Sequence, residues 1–293
     1  MTYITQHIHR ILIIATLVIF AGCAKTSIDE IPAYIAIDTI SINVTSIQGT
    51  ASQKISDAWI YADNELIGAY ELPVQIPVLK SGASNLSIFA GIKLNGINEL
   101  RVPYPFYTQI NKSVELEREK ITDLGHMKFA YASTTKFAWQ EQFEYANYSL
   151  DSTARSEVNL IRTALPELDA VFPGENNKYV AKVVIPSDSL VFECASHDSY
   201  KLPTDGTSVF LELNYKSNNA FTVGLFLNGS VTAQRSVLIV NPSISWNKIY
   251  INLTPALAAN NDVTNFKVFF TAMKSSTVPK AEIFFDNIKL LHF

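Results

Sequence analysis

The chain has 293 residues, 48% of them hydrophobic and 17% charged, with a formal net charge of −4 and two cysteines. That balance excludes the basic footprint nucleic acid requires, and the cysteines, far apart in sequence, exclude a disulfide framework or a CxxC zinc site. Ile, Val, Thr, Tyr and Phe are abundant and there are only 11 glycines, so the composition favours half-buried, pleated strands over helices.

In chain order, the first feature is Ile11–Phe20, an unbroken apolar or small run behind Arg10. It is shorter than the ~20 residues a membrane-spanning helix needs, and its basic leader and small-residue end are those of a secretory signal. The end, Phe20-Ala21-Gly22-Cys23, resembles the lipobox of bacterial lipoproteins, with Phe20 where that family usually has Leu. The resemblance implies removal of residues 1–22 and acylation of Cys23, which becomes the outer-membrane anchor on either face of that membrane. An ordinary signal that ends near a cysteine is the competing reading. One acyl chain holds only marginally, and a lipoprotein cysteine carries more than one.

Residues 23–34 are then the lipidated cysteine and a polar tether. From Tyr34, Ile35 and Ile37 alternate, then Ile40, Ile42 and Val44 in the opposite phase, which predicts a strand with a bulge at the slip. Ala58, Ile60 and Ala62 alternate with Trp59 and Tyr61, Asp63-Asn64-Glu65 supplies turn chemistry, and Leu66–Tyr70 returns, which predicts a hairpin. Pro73 and Pro77 are expected to break the pairing that follows, before a turn at 80–84 and a strand at 85–91. This order over Asp57–Gly91 resembles the PEGA domain, a small β-sandwich of bacterial surface proteins. It departs at Ala69–Pro73, which is longer here, and at Asn64, where a turn glycine is usual. Residues 92–117 fall outside that module, and 117–125 is the one candidate turn of helix. Residues 35–130 as a whole also resemble the N-terminal half of Bacteroidota lipoproteins.

A linker at 131–136 separates this small PEGA/Ig-like sandwich from a second domain, 137–293. There, eight alternating segments separated by polar turns predict a β-sandwich or jelly roll. Gln142–Glu144, Trp246–Thr254 and Glu282–Leu291 resemble jelly rolls of the galactose-binding-like, carbohydrate-binding-module type. The fold class expected is therefore all-β, two β-sandwich domains after a lipoprotein signal. Cys194, within an alternating stretch, reads as a buried small hydrophobe.

The jelly-roll resemblance implies a non-catalytic envelope protein that binds a polysaccharide. The competing class is a scaffold or adhesion lipoprotein with protein or peptidoglycan partners. Sugars need flat apolar faces, and Trp139, Tyr145, Tyr200 and Trp246 are the candidates, each equally usable as core or rim packing. Tyr104, Phe106 and Tyr107, flanked by Pro103 and Pro105, form either a pre-set recognition loop or a plug between the domains. Nothing in the sequence requires a cofactor; the resemblance allows a structural calcium, with Glu144 and Asp286 where its ligands would stand. An enzyme is not expected: no paired-carboxylate strand, GxSxG, P-loop or GxGxxG occurs. Glu212 is the one carboxylate in mid-strand, and His126, His197 and His292 have no metal-ligand spacing.

Overall fold

The alternating segments become strands throughout the computed structural model, which describes residues 31–164 and 177–293. The leader 1–22, Cys23 and most of the tether lie outside the described residues. No helix among the described residues is long and apolar enough to cross a membrane. The fold is all-β, built as layered sheets.

The first module contains β1 (Ala33–Ile37), β2 (Thr39–Asn43), β3 (Asp57–Ala62), β4 (Glu65–Glu71), β5 (Val74–Val78), β6 (Gly82–Lys93), β7 (Arg101–Pro103), β8 (Ile110–Leu116), β9 (Ile121–Asp123) and β10 (His126–Ala130). One sheet runs β4-β3-β6-β7, with β8 also on β6; β5-β1-β9 and β10-β2 complete the module. The period of two decides what is buried: Ala58, Ile60 and Ala62 of β3 and Leu86, Ile88 and Ala90 of β6 enter the core with Ile35, Ile37, Ile40 and Ile42. The turn at Asp63-Asn64 has both residues at positive φ, 53° and 68°, the geometry that matches strand twist in a two-residue hairpin.

Three expectations need correction here. The phase slip at Asp38 is a change of sheet, not a bulge: β1 pairs β5 and β9, whereas β2 pairs β10 in parallel. Asp38 N donates to Gly125 O between them (3.1 Å). Pro77 does not break the ladder, because β5 is an edge strand with its partner on one side only. Residues 92–117 continue the sheet of the hairpin, since β7 and β8 both pair β6. Finally, 117–125 is not helical: Ile121–Asp123 is held as a parallel strand on the free edge of β1.

The second module contains β11 (Lys136–Glu141), β12 (Leu150–Ser152), β13 (Leu160–Ala164), β14 (Tyr179–Ile185), β15 (Val191–Ser196), β16 (Val209–Ser217), β17 (Phe221–Leu227), β18 (Ser230–Val240), β19 (Ser243–Asn252), the short helix α1 (Thr254–Ala258), β20 (Phe266–Met273) and β21 (Ala281–His292). A six-stranded sheet, β13-β14-β21-β16-β19 with β11 also on β21, packs on a five-stranded one, β12-β15-β20-β17-β18. Leu211, Leu213, Ile251, Phe285 and Leu290 of the first sheet meet Phe192, Val223, Leu225 and Phe270 of the second. Each such side chain contributes about 1.5–3 kcal/mol of transfer free energy.

Cys194 sits in that core, fully buried on β15, and burial pushes its thiol well above the ordinary range. Only the thiolate reacts readily, so a disulfide reagent should leave Cys194 untouched in the native protein at pH 8 and titrate it in 6 M guanidinium. Rapid native labelling of Cys194, located by peptide mapping, would contradict this burial.

Candidate functional site

The strand period also fixes what lies on the outer face of the six-stranded sheet. Along β16, Leu211, Leu213 and Tyr215 point into the sandwich, so Phe210, Glu212 and Asn214 point out. On the same face stand Lys248 and Tyr250 of β19 and Lys289 and Leu291 of β21. All seven are nonetheless buried, because the first module covers this half of the face.

Two pieces form the cover. One is the aromatic cluster after β7. Tyr104, Phe106 and Tyr107 are 3%, 0% and 6% exposed. Tyr104 packs edge-on to Phe210 at 5.5 Å and lies 4.8 Å from Tyr250; Phe106 lies 4.7 Å from Phe293. These rings are a plug between the modules and present no recognition loop to solvent. The other piece is a strap, Gly49–Lys54, lying across β21, β16 and β19. Lys289 Nζ donates to Thr50 O (2.6 Å), Lys248 Nζ to Ser52 O (2.8 Å), and Ser52 Oγ pairs with the Asn214 amide (2.8–2.9 Å). The strap enters at Gly49, φ 73°, where a Cβ would come within 2.7 Å of Gln140 Oε1; that conformation and that approach both call for glycine.

Glu212 is the centre of this interface. Lys248 Nζ lies 2.6 Å from its Oε2, and the hydroxyls of Tyr104 and Tyr131 each donate to its Oε1 at 2.9 Å. Burial alone would raise its carboxyl, but Lys248 and Lys289 outweigh that and hold it below the ordinary glutamate range. Glu212 is therefore a structural anion, enclosed on all sides and out of reach of any substrate.

The other anticipated residues are dispersed. Trp139 is 5% exposed; its Nε1 donates to Ser149 Oγ (2.7 Å) and its ring stacks on Tyr200 at 6.0 Å and 21°. Both rings close one end of the sandwich core and offer no platform. Trp246 leans on Phe284 at 6.3 Å and 57° on the outer face. Tyr145 is 83% exposed and stands alone. Glu144 and Asp286 do not fit a calcium site. Glu144 Oε1 accepts the backbone N–H groups of Lys178 and Tyr179, and buried Asp286 accepts from Asn177 Nδ2 (2.7 Å) and its own neighbour's amide. Amide donors thus sit where a cation would need bare oxygen, and no group of three or more His, Cys, Asp or Glu is placed to hold a metal among the described residues.

What the fold does create is a cleft of about 400 Å³ beside the strap. The first module supplies Lys54, Lys93 and Asn98; the second supplies Tyr215, Asn241 and Asn247. The walls are fixed from both sides. Lys54 Nζ donates to Asn247 Oδ1 (2.5 Å), whose Nδ2 donates to Tyr215 Oη (3.0 Å). The loop after β6 docks on β19 through Asn95 N to Tyr250 O (2.9 Å) and Asn252 N to Asn95 Oδ1 (2.8 Å). Burial, and then Lys93, lower the Lys54 ammonium from its ordinary value. The lysines and asparagines of this cleft do not stand out in the sequence. The lining comes from five separate segments, and no local spacing marks an asparagine that lines a cleft.

No family model matches this chain, and no curated protein matches it. Among solved structures it is similar to TmCBM61, in complex with β-1,4-galactotriose, at 12% identity and TM-score 0.35, over 54% of this chain and 99% of that one. It is similar to the K2 cleaved adhesin domain of Lys-gingipain at 14% identity and TM-score 0.37, over 54% and 98%. A carbohydrate-binding module of the β-sandwich superfamily, described as having promiscuous specificity, aligns over 89% of this chain and 99% of its own, at 10% identity and TM-score 0.37. At TM-scores below 0.5, none of these likenesses bears on ligand or mechanism.

Proposed function

We propose that this protein is a non-catalytic glycan-binding protein of the cell envelope, held to the outer membrane by lipid on Cys23. The observation that carries the reading is the cleft between the modules: a concave site of about 400 Å³ walled by asparagine amides, a tyrosine hydroxyl and two lysines. Sugar hydroxyls are paired donors and acceptors, and an asparagine amide offers one group of each kind. Recognition here would rest on hydrogen bonds more than on stacking, since the anticipated aromatic rings are largely internal. The only carboxylate lining the cleft among the described residues is Glu99. Glycoside hydrolysis needs two carboxyl groups about 5–10 Å apart, so the cleft supports binding without cleavage. The leader ending at Cys23 supports export and anchoring.

The test is affinity electrophoresis of the detergent-solubilised full-length protein through gels containing neutral or acidic polysaccharides. Retardation by one class, weakened by Asn98→Ala and Asn247→Ala, is expected, and Cys23→Ala should release the protein from the membrane fraction. Unretarded migration in every gel would overturn glycan binding; membrane retention of the Cys23→Ala protein would overturn the anchor. A second reading, an envelope scaffold, is favoured by one observation: Phe210, Tyr250 and Leu291 of the second module lie in the first module's core. That makes the pair a stiff spacer.

A further inference from the structure

We infer that the cleft takes an acidic saccharide, the ammonium groups of Lys54 and Lys93 receiving its carboxylate or sulfate group; this rests on the glycan-binding reading above and narrows it to a ligand class. The protein carries a net charge of −4, yet the cleft is locally positive. Lys54 and Lys93 line it against Glu99, and the third lysine of the lining, Lys248, is neutralised by Glu212 at 2.6 Å.

Several other cations of the first module are matched, although among the described residues Lys112 and Lys128, like the cleft pair, are not. Arg101 pairs with Asp57 and Glu71, and Lys80 with Asp63 and Glu65. Lys54 and Lys93 have no carboxylate partner among the described residues.

The Lys54 head group is also held in place. Its backbone N–H donates to Tyr250 Oη (2.9 Å), its residue ends the strap, and its Nζ is tied to Asn247. Ordering a lysine side chain sacrifices about 1.5–2 kcal/mol of rotamer entropy, and here the ordered lysine shares its cleft with a second one, Lys93. Bringing two like charges into one partly desolvated cleft is unfavourable by itself. An anion bridging them reverses the sign of that interaction and gains charge-assisted hydrogen bonds. The asparagines and the Tyr215 hydroxyl around the pair suit the hydroxyl groups of the sugar that carries the anion. Because neither module holds both lysines and the second-module amides, the site exists only when the modules are docked.

The experiment compares retardation of the detergent-solubilised full-length protein by polygalacturonate, dextran sulfate and neutral laminarin at two salt concentrations. Stronger retention by an acidic polymer than by laminarin is expected, with the two acidic gels distinguishing carboxylate from sulfate. Lys54→Met and Lys93→Met should each weaken that retention about tenfold, the size expected for one lost charge-assisted hydrogen bond. Lys54→Arg should keep most of it, and Lys274→Met, just past the end of β20 and outside the cleft lining, should keep all of it. Equal retention by laminarin, or acidic retention untouched by both methionine variants, would overturn the inference while leaving glycan binding standing. A loss with Lys274→Met as large as with Lys54→Met would also overturn it, as diffuse charge attraction. No retention in any gel would remove the glycan-binding reading as well.

Discussion

Replacing Glu212 by alanine will lower the unfolding free energy by about 3–5 kcal/mol, the range for removing one partner of a buried ion pair. Glu212, Lys248 and Lys289 are 0%, 2% and 1% exposed. Removing the carboxylate leaves two ammonium groups in a dry interface and strips the Tyr104 and Tyr131 hydroxyls of their acceptor. Urea denaturation at pH 7 measures the change, and a loss below about 1 kcal/mol would mean that water enters this interface freely. The same residue sets an acid limit. Its folded pKa lies below the unfolded value of about 4.3, so its contribution is complete above that value and disappears as the pH falls through the lower, folded one. Stability should therefore drop below about pH 4, and Glu212→Gln should flatten that part of the profile while being less stable at pH 7. An unchanged acid limb in the glutamine variant would assign the acid sensitivity to other carboxylates.

Phe106→Ala is expected to cost about 3–5 kcal/mol, the usual penalty for emptying the space of a buried phenyl ring. Phe106 is fully buried, 5.4 Å from Tyr104, 5.9 Å from Phe210 and 4.7 Å from Phe293. Those neighbours belong to both modules, so the cavity opens at the seam between them. Calorimetry should show one cooperative transition in the parent protein and two in the variant, the first module melting earlier. A variant that still melts in a single transition, with little loss, would place the coupling in the strap and the Glu212 network.

Much of the fold was legible along the chain because a half-buried strand writes its burial at every second residue. The hairpin at Asp57–Glu71 and the strands at 179–185, 221–227 and 266–273 could be read in this way. The errors arose where an edge or a change of sheet intervened. Pro77 is compatible with an edge, the slip at Asp38 marks a strand leaving one sheet for another, and Ile121–Asp123 is a strand only because β1 has a free side. For the site, the sequence marks Glu212 only as a carboxylate in mid-strand; in the structure it faces outward on β16, and outward there is the inter-module seam. Pattern tells which face a side chain takes and is silent on what covers that face.

The sequence alone determined the all-β class, the position of most strands, and the inward placing of Cys194, since these depend on residue type and a period of two. Only the tertiary structure decided that Tyr104, Phe106 and Tyr107 form a plug, that Glu212 is a sealed counter-ion, and that Lys54 and Lys93 share a cleft with Asn241 and Asn247. Those facts depend on segments up to about 200 residues apart meeting across a sheet face, and the free energy that brings them together comes from burying the apolar rings between the modules.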